Sequence, residues 1–226
     1  VERELSNWRE AGMPKRLLRQ IHLGGGSPNF LSAEQTARLG EIVRSFFDIA
    51  DGCEFSAELD PRTLTPEKVK AFAKIASIGV QDTDEKVQKA INRVQPQSRN
   101  LEAVEWLRAN GILSINVDLI YGLPLQTRES FKNTLSDALG LKPARIALFG
   151  YAHVPWVKPA QKSLEKCGIP TSDEKAELFI LGKRTFEEAG YEFIGLDHFA
   201  KPGDELIKAR ENGTLHRNFQ GYSTRA

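Results

Sequence analysis

The sequence is poor in the features that mark secreted, membrane and zinc-binding proteins. Of its 226 residues only Cys53 and Cys167 are cysteines, and they stand far apart without a Cys-x-x-Cys motif. No apolar run approaches the ~18 residues of a membrane-spanning helix, and no signal-peptide pattern is present. We therefore expect a cytoplasmic protein with no disulfide framework and no membrane partner.

The chain also lacks an excess of charge of either sign. It carries 31 basic and 30 acidic side chains, so no global field selects nucleic acid or an anionic membrane. Its four histidines show no His-x-His pair or other metal-ligand spacing. An anionic ligand would thus be bound by individual arginines, and each histidine is interpreted as structural or hydrogen-bonding.

What is present is an alternation of short apolar runs and helical stretches. Five runs break off into glycine or polar clusters, and they begin near Ile21, Phe55, Ile78, Val117 and Ile146. The carboxyl ends of barrel strands face one mouth, so these clusters are expected to converge on a single ligand. A chain of this length is sufficient for one large α/β domain.

Helix-start signals follow the runs, as a mostly parallel sheet requires. Capping or turn residues open the predicted helices at Ser32, Thr65, Asp84, Ser98 and Thr127, and the longest helix spans residues 171–189. A sixth strand is predicted over residues 191–196, followed by an irregular basic tail.

One connection is unusually short. Only 23 positions separate Phe55 and Ile78, which leaves a helix near residues 66–74 running almost directly into the next strand. A crossover needs at least about 10–12 residues, so the spacing suggests a small local deletion. The chain also starts at Val1 inside an amphipathic pattern and stops after a dense polar motif. We interpret it as an internal piece of a longer protein.

The run Gly24–Pro28 is the first candidate site. Its glycines allow positive φ and close approach of backbone to a ligand, although similar runs also serve as tight turns that bind nothing. Glu58 and Asp60 point to the same side of the second strand, with Glu58 facing a ligand and Asp60 capping the turn before Pro61.

Arg93 and Asp118 are further candidates. Arg93 lies about two turns into the predicted helix, where an arginine can pair with a ligand carboxylate in bidentate fashion, while a solvated helix-face arginine is the ordinary alternative. Asp118 stands in an otherwise apolar strand, where an acid is costly unless it is paired or used. This favours a functional role for Asp118.

Together these motifs resemble oxygen-independent coproporphyrinogen III oxidases, which are radical S-adenosylmethionine (SAM) enzymes. The resemblance covers the whole chain. It rests on the segments 24–28, 58–61, 77–82, 88–93, 118–124, 151–155, 195–200 and 216–222. The last two segments favour the decarboxylating oxidase over haem-chaperone relatives.

The resemblance implies an α/β fold, a partial (β/α)6 TIM-like barrel of the radical SAM type that lacks its first strand. Residues 1–200 would form this partial barrel, with strands 2 to 6 plus one further strand. Residues 201–226 would begin a tail leading to a missing C-terminal domain. Ser27 stands where the family usually has threonine, which keeps the hydroxyl.

The resemblance also implies the cofactors and their residues. Gly25, Gly26 and Ser27 would contact the methionine part of SAM. The site would be completed by Glu58, Gln81, Arg93, Asp118 and Ala152, and a second SAM would be lined by Phe219 and Gln220. A [4Fe–4S] cluster would be held by a Cys-x3-Cys-x2-Cys loop upstream of Val1, so this chain has no metal ligands.

The implied reaction starts with reductive cleavage of SAM to a 5′-deoxyadenosyl radical. This radical removes a hydrogen atom from a propionate of coproporphyrinogen III, and loss of CO2 and an electron leaves a vinyl group. Two such steps give protoporphyrinogen IX in haem biosynthesis. The partners would be coproporphyrinogen III and an electron donor, the parent a monomer, and the piece alone inactive. Two alternatives stay open, a haem carrier and a metal-dependent hydrolase using Glu58, Asp118 and His153.

Overall fold

The computed structural model describes residues 1–71, 75–218 and 221–224. Helices and strands alternate through most of it, as predicted. The helices are α1 (Glu2–Glu10), α2 (Ala33–Phe46), α3 (Pro66–Ala71), α4 (Glu85–Ala90), α5 (Gln97–Ala109), α6 (Arg128–Gly140), α7 (Ser172–Glu188) and α8 (Glu205–Glu211). The strands are β1 (Leu17–Leu23), β2 (Asp48–Leu59), β3 (Ile75–Gln81), β4 (Ser114–Tyr121), β5 (Arg145–Gly150), β6 (Glu192–Gly195), β7 (His198–Ala200), β8 (His216–Asn218) and β9 (Gly221–Ser223).

Seven of the described strands form one curled sheet in the order β1-β2-β3-β4-β5-β7-β6. The pairs from β1 to β5 are all parallel, with Glu58 opposite Ser77 and Asp118 opposite Ala147. Because each pair is joined through a helix, the carboxyl ends of these strands lie at one edge. The α/β class and the partial barrel predicted from the sequence are confirmed.

The end of the sheet differs from the single strand predicted over residues 191–196. Gly195 and Leu196 both adopt positive φ, at 147° and 49°, and the chain reverses there. It returns as β7, which lies between β5 and β6 and is antiparallel to both. A three-residue strand carries no readable periodicity, so the sequence does not predict a strand over residues 198–200.

The predicted helix starts agree with the capping contacts. The side chains of Ser32, Asp84, Thr127 and Thr171 accept hydrogen bonds from backbone N–H groups in the first turns of their helices. The fifth helix begins at Gln97, directly after Pro96, one residue before the predicted start at Ser98. Local capping chemistry therefore determines most of these boundaries.

The apolar core lies between the convex face of the sheet and the helices α5, α6 and α7. Its fully buried members include Leu107, Val117, Phe131, Leu135 and Phe186. A second, smaller cluster packs Leu206 and Ile207 of α8 against β6 and β7. Among the described residues, no helix is long and apolar enough to cross a membrane.

The short connection stands out in the structure as well. Helix α3 ends at Ala71 and β3 begins at Ile75, while residues 72–74 lie outside the described part. Nearby, Thr36 is the one buried residue that α2 contributes. A largely apolar cavity of about 490 Å³ separates α2 from β1 and β2 and reaches Ala71. A deletion remains our interpretation of the spacing.

Candidate active site

The glycine loop directly after β1 is tied to the end of β2. Gly25 has φ of +80° and open space around its Cα atom, and its N–H donates to Glu58 Oε2 at 3.3 Å. The buried side chain of Asn29 makes two hydrogen bonds with the backbone of Asp60. Its Nδ2 donates to the Asp60 carbonyl at 2.8 Å, and its Oδ1 accepts from the Asp60 N–H at 2.9 Å. The loop is therefore held open beside the carboxyl end of β2.

A cavity of about 150 Å³ lies at the carboxyl ends of β1 to β4. Six of the predicted site residues line it, namely Gly26, Ser27, Glu58, Gln81, Arg93 and Asp118. Asp60, Ser77 and Gly79 also line this cavity. Residues spread over 90 positions of sequence thus meet around one small space, as parallel strand ends allow.

The other four predicted site residues are Gly25, Ala152, Phe219 and Gln220. Gly25 is adjacent to the cavity and bonds to Glu58. Ala152 follows β5, is exposed, and its carbonyl accepts a hydrogen bond from Gln161 Nε2 at 3.0 Å; it is not among the residues lining the small cavity. Phe219 and Gln220 lie outside the described residues. Their assignment to SAM stays a prediction.

Arg93 lies at the cavity wall, and one of its N–H donors is unused. Its Nη2 donates to the carbonyl of Gly79 at 3.0 Å and lies 3.6 Å from Asp60 Oδ1. Its buried Nε has no hydrogen-bond partner within the described chain. Burial lowers the pKa of the guanidinium, although it stays a cation. A carboxylate ligand would satisfy this unused donor.

Asp60 caps the turn after β2, as the sequence predicted. Its carboxylate accepts from the backbone N–H of Arg62 at 3.0 Å and pairs with the Arg62 guanidinium at 2.7 Å. Burial by itself raises the pKa of Asp60, but these hydrogen bonds and the charges of Arg62 and Arg93 outweigh it and hold the pKa below its usual value. Asp60 thereby stays ionised beside Arg93.

Asp118 lies deep on the concave face of the sheet. It accepts from Ser77 Oγ at 2.8 Å and from Asn116 Nδ2 at 2.6 Å. Burial raises its pKa to about 6, with a further contribution from the negative charge of Glu58, and the two hydrogen bonds only partly oppose this. Glu58 and Asp118 together favour a cationic group between them.

A larger cavity of about 380 Å³ continues along the concave face and shares Glu58, Ser77 and Asp118 with the first. Its wall is polar, with side chains from every strand between β1 and β7, including His22, Glu54, Asn116, Arg145 and His198. Sequence reasoning missed these residues. On each strand these residues alternate with core residues at every second position, and this alternation was the signal that could have identified them.

The described residues do not form a metal centre. No three of their His, Cys, Asp and Glu side chains come together as a ligand set. His153 contacts Tyr151 Oη at 3.3 Å and Glu165 Oε1 at 3.1 Å, in the segment that follows β5. The residues of the hydrolase hypothesis are therefore not assembled. Cys53 and Cys167 are free thiols and do not fit a [4Fe–4S] cluster.

The fold is that of a radical SAM protein. The model of the radical SAM superfamily matches residues 4–138, and the chain belongs to this superfamily. Within it, the chain is 42% identical to an oxygen-independent coproporphyrinogen III oxidase of Synechocystis over 93% of its length, and 42% identical to that of Helicobacter pylori over 100%. The resemblance drawn from the sequence is confirmed.

Solved structures agree with this. The coproporphyrinogen III oxidase of Escherichia coli, described as a radical SAM enzyme, superimposes with a TM-score of 0.94 at 38% identity over 100% of this chain. The chain spans about half the length of the curated relatives it matches, 46% for Synechocystis and 50% for Helicobacter pylori. It also covers 52% of the Escherichia coli structure. The activity of the whole protein is therefore a matter for proposal.

Proposed function

We propose that this chain is the SAM-binding barrel of an oxygen-independent coproporphyrinogen III oxidase. The observation that carries the proposal is the small cavity at the strand ends, where six residues matched to the family's SAM site meet. The enzyme converts two propionates of coproporphyrinogen III to vinyl groups and yields protoporphyrinogen IX. Each propionate loses one hydrogen atom, one electron and CO2.

The residues present fit SAM. Arg93 would bind its carboxylate, since the buried Nε lacks a partner in the described chain. The open backbone at Gly25 and Gly26 would accept its methionine part, and Glu58 and Asp118 would face its positive charge. When bound beside a reduced [4Fe–4S] cluster, SAM supplies a 5′-deoxyadenosyl radical. The cluster, a second SAM, the electron donor and the monomeric state belong to the proposal for the whole protein.

The chain's own contribution is to bind and orient SAM and the substrate and to shield the reactive atom. Radical chemistry is supplied by cofactors, whereas the protein fixes where the reactive atom and the substrate meet. The curled sheet supplies a concave polar wall for this purpose, backed by a fully buried apolar core. Close packing on the convex side keeps the wall rigid.

Calorimetric titration with two ligands tests the proposal. S-adenosylhomocysteine carries the amino-acid part, and 5′-methylthioadenosine lacks it. We expect Arg93→Ala to weaken S-adenosylhomocysteine binding about 10- to 100-fold, roughly 1–3 kcal/mol for a charge-assisted hydrogen bond, and to leave methylthioadenosine binding unchanged. Arg128→Ala, at an exposed position of α6, is the matched control. A wild-type chain that does not bind S-adenosylhomocysteine would contradict the proposal.

A further inference from the structure

The concave face carries a second cluster of titratable side chains that the proposed SAM site does not use. Asp197 and His198 stand at the turn into β7, and Arg217 and Tyr222 reach them from the β8–β9 hairpin. In the sheet, His198 is opposite Ala147, which is itself opposite Asp118. The cluster therefore lies at the same level of the barrel as Asp118.

Asp197 fixes the orientation of the His198 ring. Its Oδ1 is 2.5 Å from His198 Nδ1 and 3.7 Å from Arg217 Nη1. Burial alone raises the pKa of Asp197, but the hydrogen bond with His198 and the two positive partners outweigh it and hold the pKa low. An ionised Asp197 accepts a hydrogen bond from Nδ1–H, which fixes the orientation of the ring and leaves Nε2 as the nitrogen that can meet a ligand.

The ring is also fixed sterically. Phe149 and Tyr222 meet it edge-on, with ring centroids 6.0 and 5.2 Å away. Gly221 has no side chain on the Nε2 side, where a Cβ atom would lie 3.4 Å from Nε2. Within the described residues Nε2 has no hydrogen-bond partner, and His198 lines the larger cavity. The arrangement leaves Nε2 as the unpartnered ring nitrogen of a residue that lines that cavity.

The charges around the larger cavity are divided between its two sides. Glu54 and Glu58 stand on β2, while Arg145 and His198 stand on β5 and β7. Arg145 donates to both oxygens of Asp204 through its Nε alone, at 3.0 and 2.9 Å. His198 Nε2 and the Nη groups of Arg145 are therefore left on that side without a partner among the described residues. A carboxylate fits there, opposite the carboxylates that favour the cationic cofactor.

We propose that His198 Nε2 binds a propionate of the substrate through one shared proton taken up from solvent on binding, with Asp197 as its positioning residue. The inference rests on the proposed function, which supplies a substrate whose reacting arms end in carboxylates. Proximity supports it, since His198 and Asp118 flank Ala147 at the same register of the sheet and line the same cavity. A carboxylate held by His198 would place the adjacent carbons of the arm beside that site.

Fluorescence titration with coproporphyrin III tests the inference. This oxidised porphyrin carries the same four propionates and does not react. We expect His198→Gln, which replaces the imidazole by an amide that cannot take up a proton, to weaken coproporphyrin III binding at least 10-fold and to leave S-adenosylhomocysteine binding unchanged. His216→Gln changes an exposed histidine of β8 and should bind both ligands as the wild type does.

Two further variants guard against a purely structural effect. His198→Phe fills the space between Phe149 and Tyr222 and should show the same selective loss even if His198→Gln is unstable. Asp197→Asn should weaken coproporphyrin III binding 3- to 10-fold, change the nitrogen-15 signal of His198 Nδ1, and leave S-adenosylhomocysteine binding unchanged. A purely structural effect would weaken binding of both ligands.

The outcomes separate the inference from the proposed function. If the wild-type chain binds S-adenosylhomocysteine, and His198→Gln and His198→Phe bind coproporphyrin III as tightly as the wild type, the inference is wrong and the function stands. Binding of S-adenosylhomocysteine without any binding of coproporphyrin III also overturns the inference. If the wild-type chain binds neither ligand, both are wrong.

Discussion

The imidazole of His22 and the carboxylate of Glu58 meet against the Cα atom of Gly24. His22 Nε2 lies 3.4 Å from Glu58 Oε1, and His22 Nδ1 is fixed by Ser56 Oγ at 2.8 Å. A Cβ atom on residue 24 would collide with His22 Nε2 and stand 3.0 Å from Glu58 Oε1. Glycine at this position is therefore required by the two side chains rather than by backbone conformation.

The first prediction concerns Gly24→Ala. The added methyl group should displace His22, and with it Glu58, at the edge of the SAM site. We expect calorimetry to show a loss of S-adenosylhomocysteine affinity of about 10-fold, the scale of one disturbed hydrogen-bonded charge, with little change in melting temperature. Gly140→Ala, where a Cβ atom meets nothing within 4 Å, is the control. Wild-type affinity in Gly24→Ala would show that His22 does not position Glu58.

The second prediction concerns the pH dependence of stability. The pKa of Asp118 is raised from 3.8 to about 6, so the folded state holds this proton more tightly than the unfolded state does. The free energy of unfolding should therefore fall as pH rises from about 4 to 6. Asp118→Asn removes the ionisation and should be more stable than the wild type at pH 7.5, on the order of 2 kcal/mol, with little advantage near pH 4.

Urea unfolding at pH 4 and pH 7.5 measures this difference. Asp51→Asn changes an exposed acid and serves as the control, because it should leave the pH dependence of the wild type in place. An equal stability difference at both pH values would mean that Asp118 does not titrate in this range.

The third prediction pairs two glycines inside helices. Gly40 of α2 lines the apolar cavity, and a Cβ atom there would meet only the flexible end of Arg44 at 3.3 Å. Gly40→Ala should stabilise the fold by roughly 0.5–1 kcal/mol. Gly182 of α7 faces the core, where a Cβ atom would lie 2.6 Å from Leu148 Cδ2. Gly182→Ala should destabilise it by about 1–3 kcal/mol.

Thermal unfolding of both variants checks the sign of each change. The two substitutions have the same effect on intrinsic helix propensity, so the difference between them reports packing alone. Equal melting temperatures for the two variants would contradict the difference in packing between Gly40 and Gly182.

The fourth prediction concerns the pair formed by Arg145 and Asp204, whose side chains are 14% and 9% exposed. Asp204 also caps α8 by accepting from the N–H of Leu206 at 2.8 Å. Asp204→Asn keeps a capping side chain but leaves the Arg145 charge uncompensated, and we expect a loss of about 3 kcal/mol. The double variant Arg145→Met with Asp204→Asn should recover at least a third of that loss in urea unfolding. No recovery would mean that the cap, not the charge, is responsible.

Much of the site was predictable because it depends on local signals and on one geometric rule. Caps such as Ser32 and Thr127 act within one turn of helix, and parallel strands bring their ends to one edge. Glu58, Arg93 and Asp118 therefore meet as expected. His198 could not be placed in this way. Its strand exists because the chain reverses at Gly195 and Leu196, and it pairs with a strand about 50 positions earlier.

The two faces of the sheet have different roles, and this separation matters for its evolution. The polar concave face lines the cavities, and the apolar convex face packs in the core. Adjacent residues of one strand, such as Asp118 and Leu119, belong to opposite faces. Selection on substrate choice can then act on one set of side chains while selection on folding acts on the other. A barrel of this kind can acquire a new substrate by changes on its inner wall without losing the scaffold that supports them.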